Sequence, residues 1–329
     1  MKAIIARHDG IEGGSVERSP PFRWALAALS LSMVLSSLGT SIANVGLPTL
    51  AQIFGVSFHQ VQWVVLAYLL AVTTLIVSVG RLGDIVERRH LLLTGIGLFT
   101  GASILCGLSP GLWMLIGARA MQGIGAAIMM ALTMAFVGDT VPKEKTGGAM
   151  GLLGTMSAIG TAFGPSLGGF LIAEFGWRAL FFVCVPLGGL TLLVASRCLP
   201  VDRGGRKADR ASFDHLGTLV LALTLAAYAL AMTMGRGDFG SSGIALLLAA
   251  GCGGGLFILV EARAASPLIR LEMFCVPALG TGLAMSALVS TVMMATLVIG
   301  PFYLAHALAL DAVTVGLVMS VGPAVVALT

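Results

Sequence analysis

Long apolar segments follow one another along this chain with only short connections between them. Each is close to the roughly 20 residues that an α-helix needs to cross a bilayer. Inside a bilayer every backbone N–H and C=O must be satisfied within the span, which favours helices. The sequence therefore predicts an all-α polytopic membrane protein with about ten transmembrane helices. The predicted spans are residues 24–48, 61–79, 91–108, 111–137, 148–173, 179–196, 216–234, 242–260, 278–304 and 312–329.

The charged residues are few and unevenly placed. Only 10% of the residues are charged, against about 25% in a soluble domain. Sixteen of the 19 lysines and arginines fall in the N-terminal tail and in alternate connections, whereas Arg178 and Arg236 fall in the others and Arg119 lies within the fourth span. Connections rich in Lys and Arg are cytoplasmic, so we expect a cytoplasmic N-terminus. Contact with the lipid bilayer accounts for the basic charge, and no nucleic-acid partner is predicted.

Residue patterns typical of enzyme chemistry are weak. The five histidines are scattered near the ends of spans, and none is paired at metal-ligand spacing. None of the four lysines follows a glycine, which argues against a phosphate-binding loop and against direct use of ATP. The sequence therefore predicts no enzyme activity, no cofactor and no metal site. It leaves a transporter that runs on an ion gradient or on diffusion.

A few polar side chains lie inside the apolar spans. Arg119 is placed deep within the fourth span, where insertion costs roughly 2.5–3.5 kcal/mol, so we expect it to face a cavity or a partner. Gln122 follows about one turn later on the same face. Asn44 and Tyr68 belong to the first two spans. These four residues are predicted to serve coupling or substrate binding, the alternative for neutral polar groups being helix cross-links of about 0.6 kcal/mol each.

One stretch of the fifth span, from Gly160 to Gly169, is rich in glycine. Gly160, Gly164 and Gly168 stand at i, i+4 and i+8 and therefore share one helical face. Small residues at this spacing let two membrane helices approach closely. Pro165 removes a helical hydrogen bond and favours a bend. We predict that Pro165 and these glycines, including Gly169, form a hinge and a seal.

Three motifs, taken together, resemble those of the major facilitator superfamily, and in particular of its 14-helix drug:proton antiporter branch. They occur in the expected order and on the expected spans. The residues that carry the resemblance are Gly80, Gly83, Asp84, Arg88 and Arg89 after the second span, Arg119, Gln122, Gly123 and Gly125 in the fourth, and Gly160–Gly169 in the fifth.

The resemblance implies a fold and a role for each motif. The major facilitator fold has two halves that rock about a central site between them. The connection after the second span would act as a gating latch between the halves, with Asp84 bonded to backbone donors and to the nearby arginines. Arg119 would handle protons or substrate, and the Gly160–Gly169 stretch is typical of exporters. The resemblance also implies a bacterial inner membrane.

Two departures from the family pattern qualify this reading. Gly39 stands where the family signature has an acidic residue, which removes a membrane carboxylate and leaves proton coupling open. The chain has ten of the expected 14 helices, so we expect a fragment or a truncated protein. The predicted divisions are a cytoplasmic tail at 1–22, a six-helix half at 23–198, a cytoplasmic linker at 199–215, two inserted helices at 216–262 and the incomplete start of a C-terminal half at 263–329.

The expected function is secondary active transport. The predicted substrates are small amphipathic molecules or drugs, exported by alternating access, with protons as a candidate exchange ion. Two alternatives stay open at this point. One is a facilitator of other direction or coupling, such as a uniporter or importer. The other is a truncated, inactive membrane protein.

Overall fold

Every regular element in the described part of the chain is a helix. The computed structural model describes residues 22–141, 143–199, 215–234, 241–263 and 277–328. Predictions about residues 1–21 of the N-terminal tail, residues 200–214 of the linker predicted at 199–215, and residues 235–240 and 264–276 lie outside these ranges. The described helices are α1 (Phe22–Phe54), α2 (Phe58–Val61), α3 (Trp63–Ile85), α4 (Arg88–Leu108), α5 (Leu112–Thr140), α6 (Lys143–Phe175), α7 (Ala179–Phe182), α8 (Cys184–Cys198), α9 (His215–Met234), α10 (Ser241–Arg263), α11 (Pro277–His306) and α12 (Ala312–Leu328).

The helices match the predicted spans. Within the described residues, nine helical segments are long and apolar enough to cross a membrane, and α12 adds a shorter apolar helix at Ala312–Gly322. Two of the nine are pairs of helices in line, α2 with α3 and α7 with α8. All ten predicted spans coincide with these segments. The prediction of an all-α polytopic membrane fold is therefore confirmed.

Two predicted connections are shorter than expected. The connection predicted at 80–90 is wrong in its bounds, because α3 continues to Ile85 and α4 begins at Arg88. Gly80 and Gly83 are therefore helical residues. Likewise, α5 ends at Thr140 and α6 begins at Lys143, inside the connection predicted at 138–147. Hydropathy marks only the part of a helix that lies in lipid, and these helices extend beyond it with polar residues and glycines.

The first six spans pack into one bundle. Helix α1 lies along α6, and α5 lies along both α3 and α4. One cluster of buried apolar side chains includes Phe99 of α4 and Leu132 of α5. A second includes Leu47 of α1, Leu115 of α5 and Phe181 of α7. This bundle positions the polar groups described below.

The later helices attach to the bundle at two places. Helix α12 lies along α6, and a third apolar cluster joins Val45 of α1 to Leu297 of α11 and Val315 of α12. Helix α9 pairs with α10 and lies against α3, where the hydroxyls of Ser78 and Thr218 are 2.6 Å apart. The division of the chain into a six-helix half, two inserted helices and the start of a second half stays a prediction.

Candidate functional site

Arg119 lies at the centre of a buried hydrogen-bond network. Its side chain is 0% exposed, so its charge does not face lipid. Its Nε donates to the Val64 carbonyl at 2.9 Å, and its Nη1 donates to the Gly39 carbonyl at 3.0 Å and to Oε1 of Gln122. The Gln122 amide in turn donates to Oγ of Ser103 at 2.7 Å. The network thereby joins α1, α3, α4 and α5 at one level of the bundle.

Aromatic rings enclose the guanidinium. Its carbon lies 4.3 Å from the centroid of the Tyr68 ring and 6.0 Å from that of Phe181. A cation held over a ring face at such distances is attracted by the ring quadrupole. The Tyr68 hydroxyl donates to the Ser36 carbonyl at 2.9 Å. Tyr68 therefore holds α3 against α1 while its ring covers the charge.

Two glycines bring the neighbouring helices close enough for these contacts. A Cβ atom at Gly123 would lie 2.5 Å from the Tyr68 carbonyl oxygen, and one at Gly125 would lie 2.6 Å from the Phe99 nitrogen. Backbone atoms cannot rotate away as side chains do. Gly123 and Gly125 therefore allow α3 and α4 to pack on α5 at backbone distance, one turn or so after Arg119.

The structure groups three of the four predicted coupling residues and separates the fourth. Arg119, Gln122 and Tyr68 are in contact through the network described above. Asn44 is 1% exposed, but neither polar atom of its side chain has a hydrogen-bond partner in the described part of the protein. Asn44 therefore does not belong to the hydrogen-bond network of Arg119.

Gly39, which the sequence marked only as a departure from the family signature, is part of this site. Its carbonyl accepts a hydrogen bond from Arg119. A Cβ atom at Gly39 would lie 2.7 Å from Cζ of Phe99, whose ring is fully buried. An apolar ring thus fills the space that a side chain on α1 would need. Ser103 was also missed, although a serine in the middle of an apolar span is a signal that could have found it.

Helix α6 presents glycines on two faces. Gly160, Gly164 and Gly168 lie against α1, where a Cβ atom at Gly160 would be 2.7 Å from the Val34 carbonyl oxygen. Two polar contacts cross the same interface. The Ser41 hydroxyl donates to the Gly160 carbonyl at 3.2 Å, and the hydroxyls of Ser37 and Ser157 are 2.7 Å apart. This face therefore binds α6 to α1 at backbone distance.

The other face of the same stretch meets α12. A Cβ atom at Gly169 would lie 3.0 Å from the carbonyl carbon of Ala312, and one at Gly316 would lie 3.0 Å from the carbonyl carbon of Pro165. Helix α6 remains helical through Pro165. Because glycines on both helices make this contact, backbone packs directly on backbone at this point. Gly169 and Pro165 therefore belong to a different interface from Gly160, Gly164 and Gly168.

The two arginines at the start of α4 bind groups within the first six spans. Arg88 donates from Nε to the Gly83 carbonyl at 3.1 Å and from Nη1 to the Ala135 carbonyl at 3.4 Å. Arg89 donates from Nη2 to the Ser196 carbonyl at 2.5 Å. These bonds tie the α3–α4 connection to α5 and α8. The side chain of Asp84 lies outside the described part of the structure, so its predicted bonds to the arginines stay a prediction.

A cavity of about 850 Å³ lies between α3, α9 and α11. This volume is typical of small-molecule sites. Its lining is mostly apolar, with polar groups from Gln62, Thr73, Tyr228 and Thr291 among others. Neither Arg119 nor Gln122 is part of that lining. The cavity and the arginine network are therefore two separate features, both in contact with α3.

Comparison with known proteins identifies the family. The family model described as the Major Facilitator Superfamily matches residues 29–329. The chain belongs to this superfamily. This family assignment agrees with the fold predicted from the sequence.

The relatives of this major facilitator protein have varied names. It is 35% identical to the multidrug resistance protein Stp of Mycobacterium tuberculosis over 76% of this chain and 46% of that protein. It is 33% identical to the drug efflux pump JefA of the same organism over 79% of this chain and 51% of that one. The riboflavin transporter RibZ of Clostridioides difficile is 31% identical over 93% of this chain and 66% of its own length. The chain thus spans about half the length of the drug-transporting relatives.

A solved structure aligns with most of the chain. It is that of a bacterial homolog of the human lysosomal transporter Spinster, in an inward-facing and occupied conformation. The alignment has a TM-score of 0.48 and 19% identity, and covers 92% of this chain and 74% of that one.

Proposed function

We propose that this chain works as a secondary active transporter that exports small amphipathic molecules by alternating access. The proposal places it in the 14-helix drug antiporter branch, in a bacterial inner membrane with its N-terminus in the cytoplasm. Protons are the candidate exchange ion. The six-helix half at 23–198 would move as one unit relative to the segment that begins at 263.

The observation that carries the proposal is the position of α6 between α1 and α12. On the α1 side, glycine packing is reinforced by hydroxyl contacts such as that between Ser37 and Ser157. On the α12 side, Gly169 and Gly316 pack against backbone. Small residues let two membrane helices approach at backbone distance, which suits an interface that excludes ions and slides. We therefore assign the α6–α12 interface the role of seal and sliding surface, with Pro165 as the hinge.

The arginine network is proposed to be the coupling or substrate-binding centre. A charge buried within a membrane bundle is costly and marks function. Arg119 lies on α5 and donates hydrogen bonds to α1 and α3. A change in its hydrogen-bond partners would therefore affect the packing of three helices. Arg88 and Arg89 at the start of α4 would hold the inner ends of α3, α5 and α8 as one gate unit.

The substrate class follows from the cavity and from the names of the relatives. A largely apolar cavity of about 850 Å³ with a few polar groups suits amphipathic molecules. Stp and JefA are named for drug resistance and drug efflux. The name of RibZ favours a second candidate, a carrier for a compound such as riboflavin, because RibZ aligns with 93% of this chain.

Transport in proteoliposomes tests the proposal. We would load the vesicles with 4-(1-pyrenyl)butyrate or with 4-(1-pyrenyl)butyltrimethylammonium, two amphipathic probes that share one ring. We expect the protein to accelerate the release of at least one probe, and a pH gradient to accelerate it further if protons are exchanged. Release of both probes no faster than from probe-loaded vesicles without protein would refute export. Faster movement of riboflavin than of either probe would favour the second candidate.

A matched pair of arginine variants tests the assigned site. Arg119→Ala is expected to abolish transport, because it removes the buried charge. Arg178→Ala is the control, because Arg178 is exposed and stacks on Trp177 at 4.6 Å. Helix content and thermal unfolding of both variants separate loss of transport from loss of fold. Unchanged transport by a folded Arg119→Ala variant would refute the role of Arg119.

A further inference from the structure

The hydrogen bonds of Arg119 leave one of its nitrogens free. A guanidinium has five N–H donors, one on Nε and two on each terminal nitrogen. Nε donates to Val64, and Nη1 donates both of its hydrogens, to Gly39 and to Gln122. Nη2 is buried and has no hydrogen-bond partner in the described part of the chain. Two donors on a single charged nitrogen are therefore available inside the bundle.

No carboxylate of the described residues balances this charge. Glu87, Glu144, Glu174, Glu261 and Asp311 make no ion pair or hydrogen bond with Arg119. Asp139 lies 20 residues further along α5, which is about 30 Å at the helical rise. Asp84 is equally far along α3 from Val64, again about 30 Å. The backbone of each aspartate is thus placed about 30 Å along the helix axis from the level of Arg119.

The packing also excludes a counter-ion on the nearest helix. The carbonyl that faces Arg119 from α1 belongs to Gly39. The Phe99 ring fills the space beside it, since a Cβ atom at Gly39 would be 2.7 Å from that ring. The described part of the protein thus supplies carbonyl oxygens and ring faces to the guanidinium, which are dipoles and quadrupoles, but no opposite charge. Burying an ion without an opposite charge costs several kcal/mol.

We infer that the counter-ion of Arg119 is the transported molecule itself, so that the substrates are amphipathic anions, bound through a carboxylate on Nη2. This inference rests on the proposed transport function and adds the charge of the substrate. A carboxylate oxygen accepts charge-assisted hydrogen bonds from a guanidinium, which are about twice as strong as neutral ones. Tyr68 and Phe181 offer the apolar part of such a molecule an aromatic surface next to the charge.

The enclosed geometry assigns this bound state to one step of the cycle. Arg119 is 0% exposed and Tyr68 is 1% exposed, so the site is occluded in this conformation. Arg119 is held by carbonyls on two helices, α1 and α3. Rotation of the Tyr68 and Phe181 side chains, which cover the guanidinium, would expose Nη2 to substrate while the six-helix half stays intact. An anion that enters would accept hydrogen bonds from Nη2 and compensate the charge.

Equilibrium binding of three pyrene probes tests the inference. We would use 4-(1-pyrenyl)butyrate, its neutral methyl ester and the trimethylammonium analogue, with the whole chain in nanodiscs of phosphatidylcholine and with empty nanodiscs subtracted. The carboxylate is expected to bind at least about tenfold more tightly than the ester. This ratio of Kd values corresponds to the lower end of the free-energy range of hydrogen bonds to charged groups. Equal affinities of the carboxylate and the ester, or preference for the cation, would overturn the inference.

Variants assign the preference to Arg119. Arg119→Gln is expected to bind carboxylate and ester equally, whereas Arg178→Gln, the exposed control, is expected to keep the preference. A preference that survives in Arg119→Gln would overturn the assignment. If Arg119→Gln does not fold, the conservative Arg119→Lys replaces it, and it should keep the order of the probes with a reduced ratio. An Arg119→Lys variant with an unchanged ratio would overturn the assignment.

The binding and transport measurements test the anion site and the transport function separately. Preferential binding of the carboxylate without its release from proteoliposomes would refute the proposed transport function but keep the anion site. Release of both charged probes at equal rates, with equal affinities, would keep the transport function and refute the anion site.

Discussion

A single methyl group at Gly160 should separate α6 from α1. The Cβ atom of Gly160→Ala would lie 2.7 Å from the Val34 carbonyl oxygen and 3.0 Å from Cβ of Ser37. Ordinary contact begins at 3.4 Å, so the two helices must move apart by about 0.7 Å. Val34 contributes a backbone atom here, so no rotamer change relieves the clash. Overpacking of this kind costs about 1–3 kcal/mol.

Gly154→Ala is the matched control on the same helix. Gly154 is exposed, and a Cβ atom there meets nothing within 4 Å. Both substitutions replace glycine by alanine within α6, so both gain the same helix propensity of up to about 1 kcal/mol. The difference between the two variants therefore isolates the steric effect at the α1–α6 interface. We expect Gly160→Ala to be about 1–3 kcal/mol less stable than Gly154→Ala.

Unfolding in mixed micelles measures this difference. Helicity would be followed by circular dichroism while SDS is titrated into the protein in a mild detergent. The expected result is an earlier unfolding midpoint for Gly160→Ala than for Gly154→Ala. Equal midpoints would mean that α1 and α6 are not packed at backbone distance, and the reasoning about the α6 faces would fail.

Two further predictions concern single polar groups. Tyr68→Phe removes the hydrogen bond to the Ser36 carbonyl but keeps the ring over Arg119, so it should cost about 0.5–1.5 kcal/mol in the same unfolding assay; a loss above about 3 kcal/mol would contradict this. Asp311 caps α12: the Thr314 hydroxyl and the amides of Thr314 and Val313 bond its carboxylate and lower its pKa. The cap is therefore present above the ordinary pKa of about 3.9 and lost as pH falls. Hydrogen-exchange protection of Val313 and Thr314 should drop at low pH in the natural protein but not in Asp311→Asn, and equal pH dependence in both would refute the cap.

Most of the fold could be predicted from the hydropathy of the sequence and from the positions of its polar residues. A membrane span has a length and a composition that single sequences display. Within the described residues, nine of the ten predicted spans coincide with helices long enough to cross a membrane, and the tenth coincides with the shorter apolar helix α12. Their ends were found less well, because α3 and α4 continue past the apolar core to Ile85 and from Arg88. Helix extensions in the polar region have no hydropathy signal of their own.

The sequence predicted residues of the site but not the groups to which they hydrogen-bond. Arg119 and Gln122 are polar residues on one face of an apolar span, which is why the sequence marks them. Their partners are the carbonyls of Gly39 and Val64, and a backbone carbonyl has no sequence signal. Asn44 had the same kind of signal as Arg119, yet it makes no bond to the network. Polar type alone does not say which helices a residue faces.

The Gly160–Gly169 stretch shows a similar limit. Helical periodicity put Gly160, Gly164 and Gly168 on one face, and the structure has all three against α1. The same periodicity leaves Gly169 and Pro165 on a different face, but it does not name α12 as the helix they meet. Pairing of distant helices depends on the packing of the whole bundle.

Distance measurements across α6 test the central claim that the six-helix bundle moves against α12. Spin labels would be introduced as non-natural amino acids at the exposed positions Phe163 of α6, Leu317 of α12 and Trp24 of α1, and distances would be measured with and without a transported pyrene probe. The account predicts that the Phe163–Leu317 distance changes when probe is added, while the Phe163–Trp24 distance within the bundle does not. A constant Phe163–Leu317 distance in protein that transports the probe, or equal changes in both pairs, would contradict it.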